Sequence, residues 1–265
     1  MDGFGHLPFD VIEGPAWRGV RYFCTTRHGG VSLPPYDSLN LGLHVGDDEA
    51  AVLENRARLA RALPGPPVWV EQVHGVDVFE ADTGRDAQGV RADAILTARP
   101  GQALAIMTAD CLPVVMGDTE GRALAVAHAG WRGLAAGVLE QTFARLRKRL
   151  PGSAVVWRAW IGPGIGVEHF EVGESVRQAF AQDDASAACC FHPGREAGKW
   201  SADLPELARR RLEHMGVTEV WQSRLCTHAR ADLFFSHRRR QPCGRMATLA
   251  WLQVDAAQAL PTYPD

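Results

Sequence analysis

Short apolar runs rich in β-branched and aromatic residues, separated by glycine, proline and polar clusters, recur along the chain. They predict strands at Val20 to Thr25, Val68 to Val73, Val76 to Ala81, Ala94 to Thr97, Ala103 to Thr108, Leu112 to Met116 and Leu124 to His128. Later runs at Ala154 to Ile161, Glu219 to Ser223 and Met246 to Leu252 read the same way. Helical spacing appears from Asp48 to Leu63, where Val52, Leu59 and Leu63 share a face behind an acidic first turn and Pro64-Gly65 supplies a stop. From Leu134 to Leu150, Val138, Leu139, Phe143, Leu146 and Leu150 form a stripe, with Arg147, Lys148 and Arg149 suited to a helix C-terminus. Shorter helices are expected at Glu174 to Gln182 and at Leu204 to Met215, the second capped by Asp203 and ended by Gly216. The stretch from Ala185 to Trp200 is the least regular and reads as a loop, with Cys189-Cys190-Phe191 as a candidate short strand.

Strands dominate the first half, helices interleave, and no internal repeat or low-complexity tract divides the chain. One α/β domain over residues 1–265 is the simpler expectation, with 46% apolar and 22% charged residues arguing against disorder or a coiled coil. A net charge of −3 and a pI near 6.4 supply no global pull toward nucleic acid or anionic lipid, so an anionic ligand needs a local site. Met1 to Pro15 contains no basic run followed by an apolar stretch, and no segment approaches the ~18 apolar residues of a membrane span. These features lead us to expect a cytoplasmic protein. The six cysteines, at 24, 111, 189, 190, 226 and 243, form neither a C-x-x-C ribbon nor a disulfide framework and are expected as thiols, mostly in the core.

Three turns that follow apparent strands carry polar groups a core does not need: Gln72-Val73-His74-Gly75, Thr108-Ala109-Asp110-Cys111 and His128-Ala129-Gly130-Trp131-Arg132-Gly133. Imidazole and thiolate from separate loops are zinc-ligand types, and a set of three leaves a fourth coordination position for water or substrate. His74, Cys111 and His128 are thus candidate metal ligands, against the plainer reading of two ordinary histidines and a buried thiol. The third turn runs into the strongest predicted helix, and its glycines would let backbone N–H groups approach a phosphate, with Arg132 adding a contact or simply packing on Trp131. Thr25-Thr26-Arg27-His28-Gly29-Gly30 and Ser38-Leu39-Asn40-Leu41-Gly42 pair permissive turns with an arginine and an amide. Gly162-Pro163-Gly164-Ile165-Gly166 lacks both P-loop lysine and Rossmann spacing, and reads as a loop passing close to protein or ligand. The run His237-Arg238-Arg239-Arg240 with Arg245 is either an anion site or, more commonly, a solvated loop.

Together the segments resemble the YfiH-type laccase-domain family, known also as multicopper polyphenol oxidases and as purine nucleoside phosphorylases. The likeness is carried by Thr26-Arg27-His28-Gly29-Gly30-Val31-Ser32, Leu39-Asn40-Leu41-Gly42 with Val45-Gly46-Asp47, Gln72-Val73-His74-Gly75, Ala92-Asp93-Ala94, and Thr108-Ala109-Asp110-Cys111-Leu112-Pro113. It continues through His128 to Gly133, Ile161-Gly162-Pro163, Phe170-Glu171-Val172-Gly173, Asp232 with Phe234-Phe235-Ser236 and Arg238-Arg239, and Gly244-Arg245.

The resemblance implies a single-domain mixed α/β sandwich related to toxin deamidases, with zinc on His74, Cys111 and His128. It also implies phosphorolysis of adenosine, inosine and methylthioadenosine, and deamination of adenosine. Cys111, His128 and Asp110 are then the candidate catalytic residues, and Arg27, Asn40, Gln72, Arg132 and Arg245, which lie within these segments, the candidates for substrate binding. Expected partners are a purine nucleoside and phosphate, in a monomer or homodimer. A multicopper centre needs many imidazoles, typically in His-x-His pairs; the chain has ten histidines and no such pair, although a His2Cys set could take up copper. The deaminase signature His-x-Glu with Pro-Cys-x-x-Cys is missing too, so deamination here would be an independent solution. Cys111 beside a histidine is also a possible nucleophile, which would suit an amide hydrolase editing peptidoglycan precursors.

Overall fold

The computed structural model describes residues 7–152, 154–182 and 184–254, so Met1 to His6 of the N-terminal stretch read above and the chain from Asp255 onward lie outside it. The elements are β1 (Val11–Ile12), β2 (Val20–Thr25), α1 (Glu49–Ala60), β3 (Val78–Glu80), β4 (Ala94–Thr97), β5 (Leu104–Thr108), β6 (Leu112–Asp118) and β7 (Leu124–Ala129). The chain continues through α2 (Trp131–Ala136), α3 (Val138–Arg149), β8 (Trp157–Ile161), β9 (Glu171–Gly173), α4 (Glu174–Ala181), β10 (Phe191–Pro193), β11 (Lys199–Ala202), α5 (Leu204–His214), β12 (Glu219–Gln222) and β13 (Met246–Leu252).

Two large sheets stack face to face. A six-stranded sheet runs β12-β8-β6-β7-β4-β3, and a four-stranded sheet runs β1-β2-β13-β5. Period-two alternation divides each strand between two cores, which explains why the strands read as nearly continuous apolar runs. On β6, Leu112, Val114 and Met116 face a core shared with α3, α4 and α5, while Val115 points between the sheets. On β13, Met246, Ala250 and Leu252 point between the sheets, whereas Leu249 and Trp251 face a third core that includes Leu59 of α1. The described residues therefore form one domain of four layers: helices, six-stranded sheet, four-stranded sheet, helix. Ala125, Ala127 and Ala129 present only methyl groups from β7, leaving room for Leu139, Phe143 and Leu146 of α3 to bury against them. A small sheet, β10-β11-β9, completes the fold.

Three sequence expectations are corrected. Val68 to Val73 is no strand: its backbone bonds first to Ala103 and Ala105, then to Val90 and Ala92, making isolated bridges to two partners rather than a ladder to one. The helix expected over Leu134 to Leu150 is two, because Gly137 sits at φ +95° and breaks the ladder between α2 and α3. Cys189 and Cys190 end a 3-10 turn over Ala185–Cys190, and the strand begins only at Phe191. Asp203 does cap α5, its carboxylate accepting from Glu206 N–H at 2.9 Å.

Candidate active site

The chain crosses from the four-stranded to the six-stranded sheet in the turn between β5 and β6, and Cys111 sits on that turn. Asp110 just before it has φ +94°, a conformation an L-residue holds only when its surroundings fix it. They do so here: Thr227 Oγ1 donates to Asp110 Oδ1 and Arg238 N–H to Oδ2, both at 2.7 Å, and Ile165 N–H donates to the Asp110 carbonyl at 2.8 Å. His74 also has positive φ, +60°. Its loop is held by Asp93, whose carboxylate accepts the consecutive N–H groups of Val73, His74 and Gly75 at 3.2, 2.9 and 2.7 Å.

The same carboxylate lies 2.8 Å from His128 Nδ1 near the end of β7, and the Asp93 carbonyl accepts His128 N–H at 2.7 Å. Because an ionised carboxylate only accepts, Nδ1 carries the hydrogen and Nε2 is left for a metal or a proton partner. Asp93 is fully buried. Burial alone would raise its pKa, but the His128 hydrogen bond and charge, with the backbone donors, hold it below the usual carboxylate range.

The ligand atoms of His74, Cys111 and His128 lie within 4.8 Å of one another, with Cys111 Sγ 3.8 Å from His74 Nε2 and the two imidazoles edge to face at 4.7 Å between centroids. Two ligands on one tetrahedral zinc are roughly 3.5 Å apart, given bonds of about 2.0–2.3 Å. The set therefore fits a metal by donor type and by spacing, and Asp93 supplies the carboxylate that metal-binding histidines commonly lean on. Among the described residues no other three His, Cys, Asp or Glu side chains converge in this way. Gly130 forms one side of the cluster: a Cβ there would fall 2.9 Å from Cys111 Sγ and 2.9 Å from His74 Cδ2, and one on Gly133 would fall 2.8 Å from the Gly75 carbonyl. The glycines of this turn thus make room for the His74 loop and Cys111.

Without metal, the electrostatics of the cluster favour a thiolate on Cys111 and an imidazolium on His128. Burial opposes ionisation of the thiol, but the charge on His128 and hydrogen bonds from both imidazoles outweigh it and bring Cys111 down to about 6. Burial likewise opposes protonation of His128, yet the thiolate and Asp93 push it up to about 9.

A cavity of about 200 Å³ opens on these three residues, lined further by His44, Gln72, Met107, Thr108, Ala109, His237 and Arg245. Of the expected substrate-binding residues, Gln72 and Arg245 line it. Gln72 also exchanges two 2.8 Å bonds with the Met107 backbone. Asn40 is fully buried and committed elsewhere: its amide donates to Asp47, and its Oδ1 accepts from the N–H groups of Gly42 and Arg245. Arg27 donates to the Asp37 carbonyl and carboxylate and to the Ala231 carbonyl, over the ring of Phe235. Arg132 is exposed and packs on Trp131. Neither arginine lines the cavity, and the carboxylate of Asp110 ties down the segment carrying Thr227 and Arg238. Of the basic run, Arg239 is spent on the carbonyls of Thr227, His228 and Phe234, and Arg238 on that of Glu171. His237 alone of that run reaches the cavity. His44 and the role of Asp93 were not foreseen from sequence, whereas His237 was, as the head of the basic run; an aspartate opening an otherwise apolar strand was the available signal for Asp93. A larger groove of about 540 Å³ beside α3 is lined by Phe143, Arg147, Lys148 and Trp157, with no His, Cys, Asp or Glu among its lining residues.

The profile of a family described as multi-copper polyphenol oxidoreductase laccase matches residues 21–253. The chain belongs to this family. Similar family members include the purine nucleoside phosphorylase PA4543 of Pseudomonas aeruginosa, 51% identical over 241 residues covering 91% of this chain and 97% of that protein. The purine nucleoside phosphorylase YfiH of Escherichia coli K12 is 48% identical over 244 residues, covering 91% and 98%. Among solved structures, Neisseria meningitidis protein NMB0706 superposes with a TM-score of 0.84 at 42% identity, over 93% of this chain and 100% of that one. YfiH of Bacillus licheniformis gives 0.82 at 32% identity, over 88% and 93%. These structures share the mixed α/β architecture of this family member.

Proposed function

We propose that the chain is a zinc-dependent purine nucleoside phosphorylase, with adenosine deamination as a second activity, and that residues 1–265 act as one cytoplasmic catalytic domain, monomeric or dimeric. The observation that carries this reading is near end-to-end similarity to relatives named purine nucleoside phosphorylase, joined to a cavity whose floor is an open His74–Cys111–His128 set. Zinc is favoured over copper because thiolate and imidazole at one mononuclear set match a catalytic zinc site, and no second cluster among the described residues could complete a multicopper centre.

In the proposed reaction a phosphate oxygen forms a bond to C1′ of the nucleoside while the C1′–N9 bond breaks. The electron pair of the broken bond leaves with the purine, which takes up the proton that the attacking hydrogen phosphate gives up, and ribose 1-phosphate is the other product. When bound, zinc supplies a Lewis acid that offsets developing negative charge. The protein holds His128 in one tautomer through Asp93, holds the His74 loop through the same carboxylate, and gathers the reacting groups at one small pocket.

One observation favours a second reading. Cys111, His128 and Asp93 also form the nucleophile, base and orienting carboxylate of a cysteine hydrolase, which would suit an amide substrate. Both readings are tested by incubating metal-analysed protein with adenosine, with and without phosphate, and separating the products. Adenine with ribose 1-phosphate is expected, and inosine marks deamination; neither product from protein carrying stoichiometric zinc overturns the nucleoside reading. Cys111→Ala is expected to lose metal and turnover together, whereas retained zinc with lost turnover assigns the sulfur as nucleophile.

A further inference from the structure

Ten residues line the cavity, and none is Asp or Glu. His44, His237 and Arg245 instead bring cationic or N–H-donating heads into its wall. They line one and the same cavity of about 200 Å³, and burial followed by the charge of Arg245 holds both imidazoles below their usual value, which leaves them as neutral N–H donors. Asp110 is the one acidic influence on His237, and its two oxygens are already taken by Thr227 and Arg238. Arg245 has no carboxylate partner among the described residues. Its Nη1 reaches the carbonyls of Cys243 and Gly244, while Nε and Nη2 make no hydrogen bond there. A guanidinium in a partly buried wall with no carboxylate partner is unfavourable unless an anion completes it, and neutral imidazole N–H groups beside it can donate to the same anion.

The wall is also built to hold these heads in place. Asn40 Oδ1 accepts from Gly42 N–H at 3.0 Å and from Arg245 N–H at 2.9 Å, joining the loop that leads to His44 to the segment that carries Arg245. Gly42 leaves room for the arginine stem, since a Cβ there would fall 2.8 Å from Arg245 Cγ.

We propose that His44, His237 and Arg245 form the phosphate subsite of the cavity, binding inorganic phosphate beside the His74–Cys111–His128 set. Asn40 is a positioning residue for it. This rests on the phosphorolysis reading; of the two anion sites the sequence offered, it sets aside the Gly130 to Gly133 turn with Arg132 and keeps His237 and Arg245 from the basic run, adding His44. Charge-assisted contacts to a phosphate are strong enough that losing one weakens binding by about 10- to 100-fold.

The test uses the zinc-loaded full chain. In steady-state phosphorolysis of adenosine, Arg245→Gln and His44→Asn are each expected to raise the KM for inorganic phosphate about 10- to 100-fold, with the KM for adenosine held within about threefold. Arg245→Lys restores part of the loss, and Arg132→Gln keeps the wild-type phosphate KM. A phosphate KM unchanged in both Arg245→Gln and His44→Asn overturns the subsite, as does a phosphate dependence that follows Arg132 instead. His44 makes no side-chain hydrogen bond among the described residues, so its variant remains informative should Arg245→Gln disturb folding. Calorimetric titration of inorganic phosphate without nucleoside separates the two claims. Phosphate binding that is lost in Arg245→Gln, in a protein that never cleaves adenosine, sustains the subsite and ends the phosphorylase reading. Phosphorolysis insensitive to both substitutions does the reverse.

Discussion

Asp93 accepts four hydrogen bonds with two oxygens: three from successive backbone N–H groups of the His74 loop and one from His128. Replacing it with asparagine turns one acceptor into an NH2 donor aimed at another donor, so either the loop or the imidazole must shift. Zinc affinity of Asp93→Asn is expected to fall about 10- to 100-fold, measured by competition with a chromophoric chelator; wild-type affinity would show that His128 is oriented by other means. The Cys111–His128 pair makes a second prediction, of pH dependence. With His128 pushed up to about 9 and Cys111 brought down to about 6 in the metal-free protein, the form expected between those values is thiolate and imidazolium. Metal binding must then expel one proton, from His128; below about 6 it must expel a second, from Cys111. The affinity contributed by this pair therefore rises about tenfold per pH unit from 6 to 9, more steeply below 6, and levels off above 9. Chelator competition across pH 5 to 10 checks this, and a profile flat between 6 and 9 contradicts the ion pair.

At the scale of elements, what was legible depended on whether a residue's partners were local. The strands at Val20 to Thr25, Leu112 to Met116 and Met246 to Leu252 declared themselves because both faces are buried, and apolar runs survive any choice of partner. The segment at Val68 to Val73 carries the same composition, yet its partners change midway, which no local pattern encodes. His74, Cys111 and His128 could be picked out by chemistry at strand ends, and His237 by the basic run it heads, but His44 could not: it is an isolated histidine made meaningful only by the Asn40 staple that joins its loop to the segment of Arg245. Gly130 and Gly137 show the difference in one turn. Gly137 is required by its φ of +95° and simply ends a helix, whereas Gly130, at φ −66°, could be any residue as far as the backbone is concerned. Its role is contact with the ligands. Gly130→Ala is expected to cost about 1–3 kcal/mol of stability through overpacking and to lower metal occupancy sharply, read by thermal unfolding together with metal analysis. Full occupancy in Gly130→Ala would show that the cluster has slack the distances do not suggest.

At the scale of the molecule, the three candidate ligands come from both main sheets. Cys111 sits where the chain crosses between them and His128 on a central strand of the six-stranded sheet, while the segment leading to His74 bridges to β5 of the four-stranded one through Val68. A metal held by all three thus fastens the open end of the inter-sheet layer, where β5 stops and no ladder continues. Folding is then linked to metal concentration: a ligand at a thousand times its Kd stabilises the native state by about 4 kcal/mol, which for a chain of this size corresponds to roughly 8–16 °C in Tm. Removing the metal with a chelator is expected to lower the Tm by that amount, and restoring zinc to return it. In Cys111→Ala, which lacks one ligand, the chelator is expected to leave the Tm nearly unchanged. A wild-type Tm indifferent to chelator, in protein shown to have lost its zinc, would falsify the idea that the site joins the two sheets. The metal would then serve the reaction alone, and the inter-sheet contacts of Val115, Val126, Ile106 and Met246 would have to hold the layers together unaided.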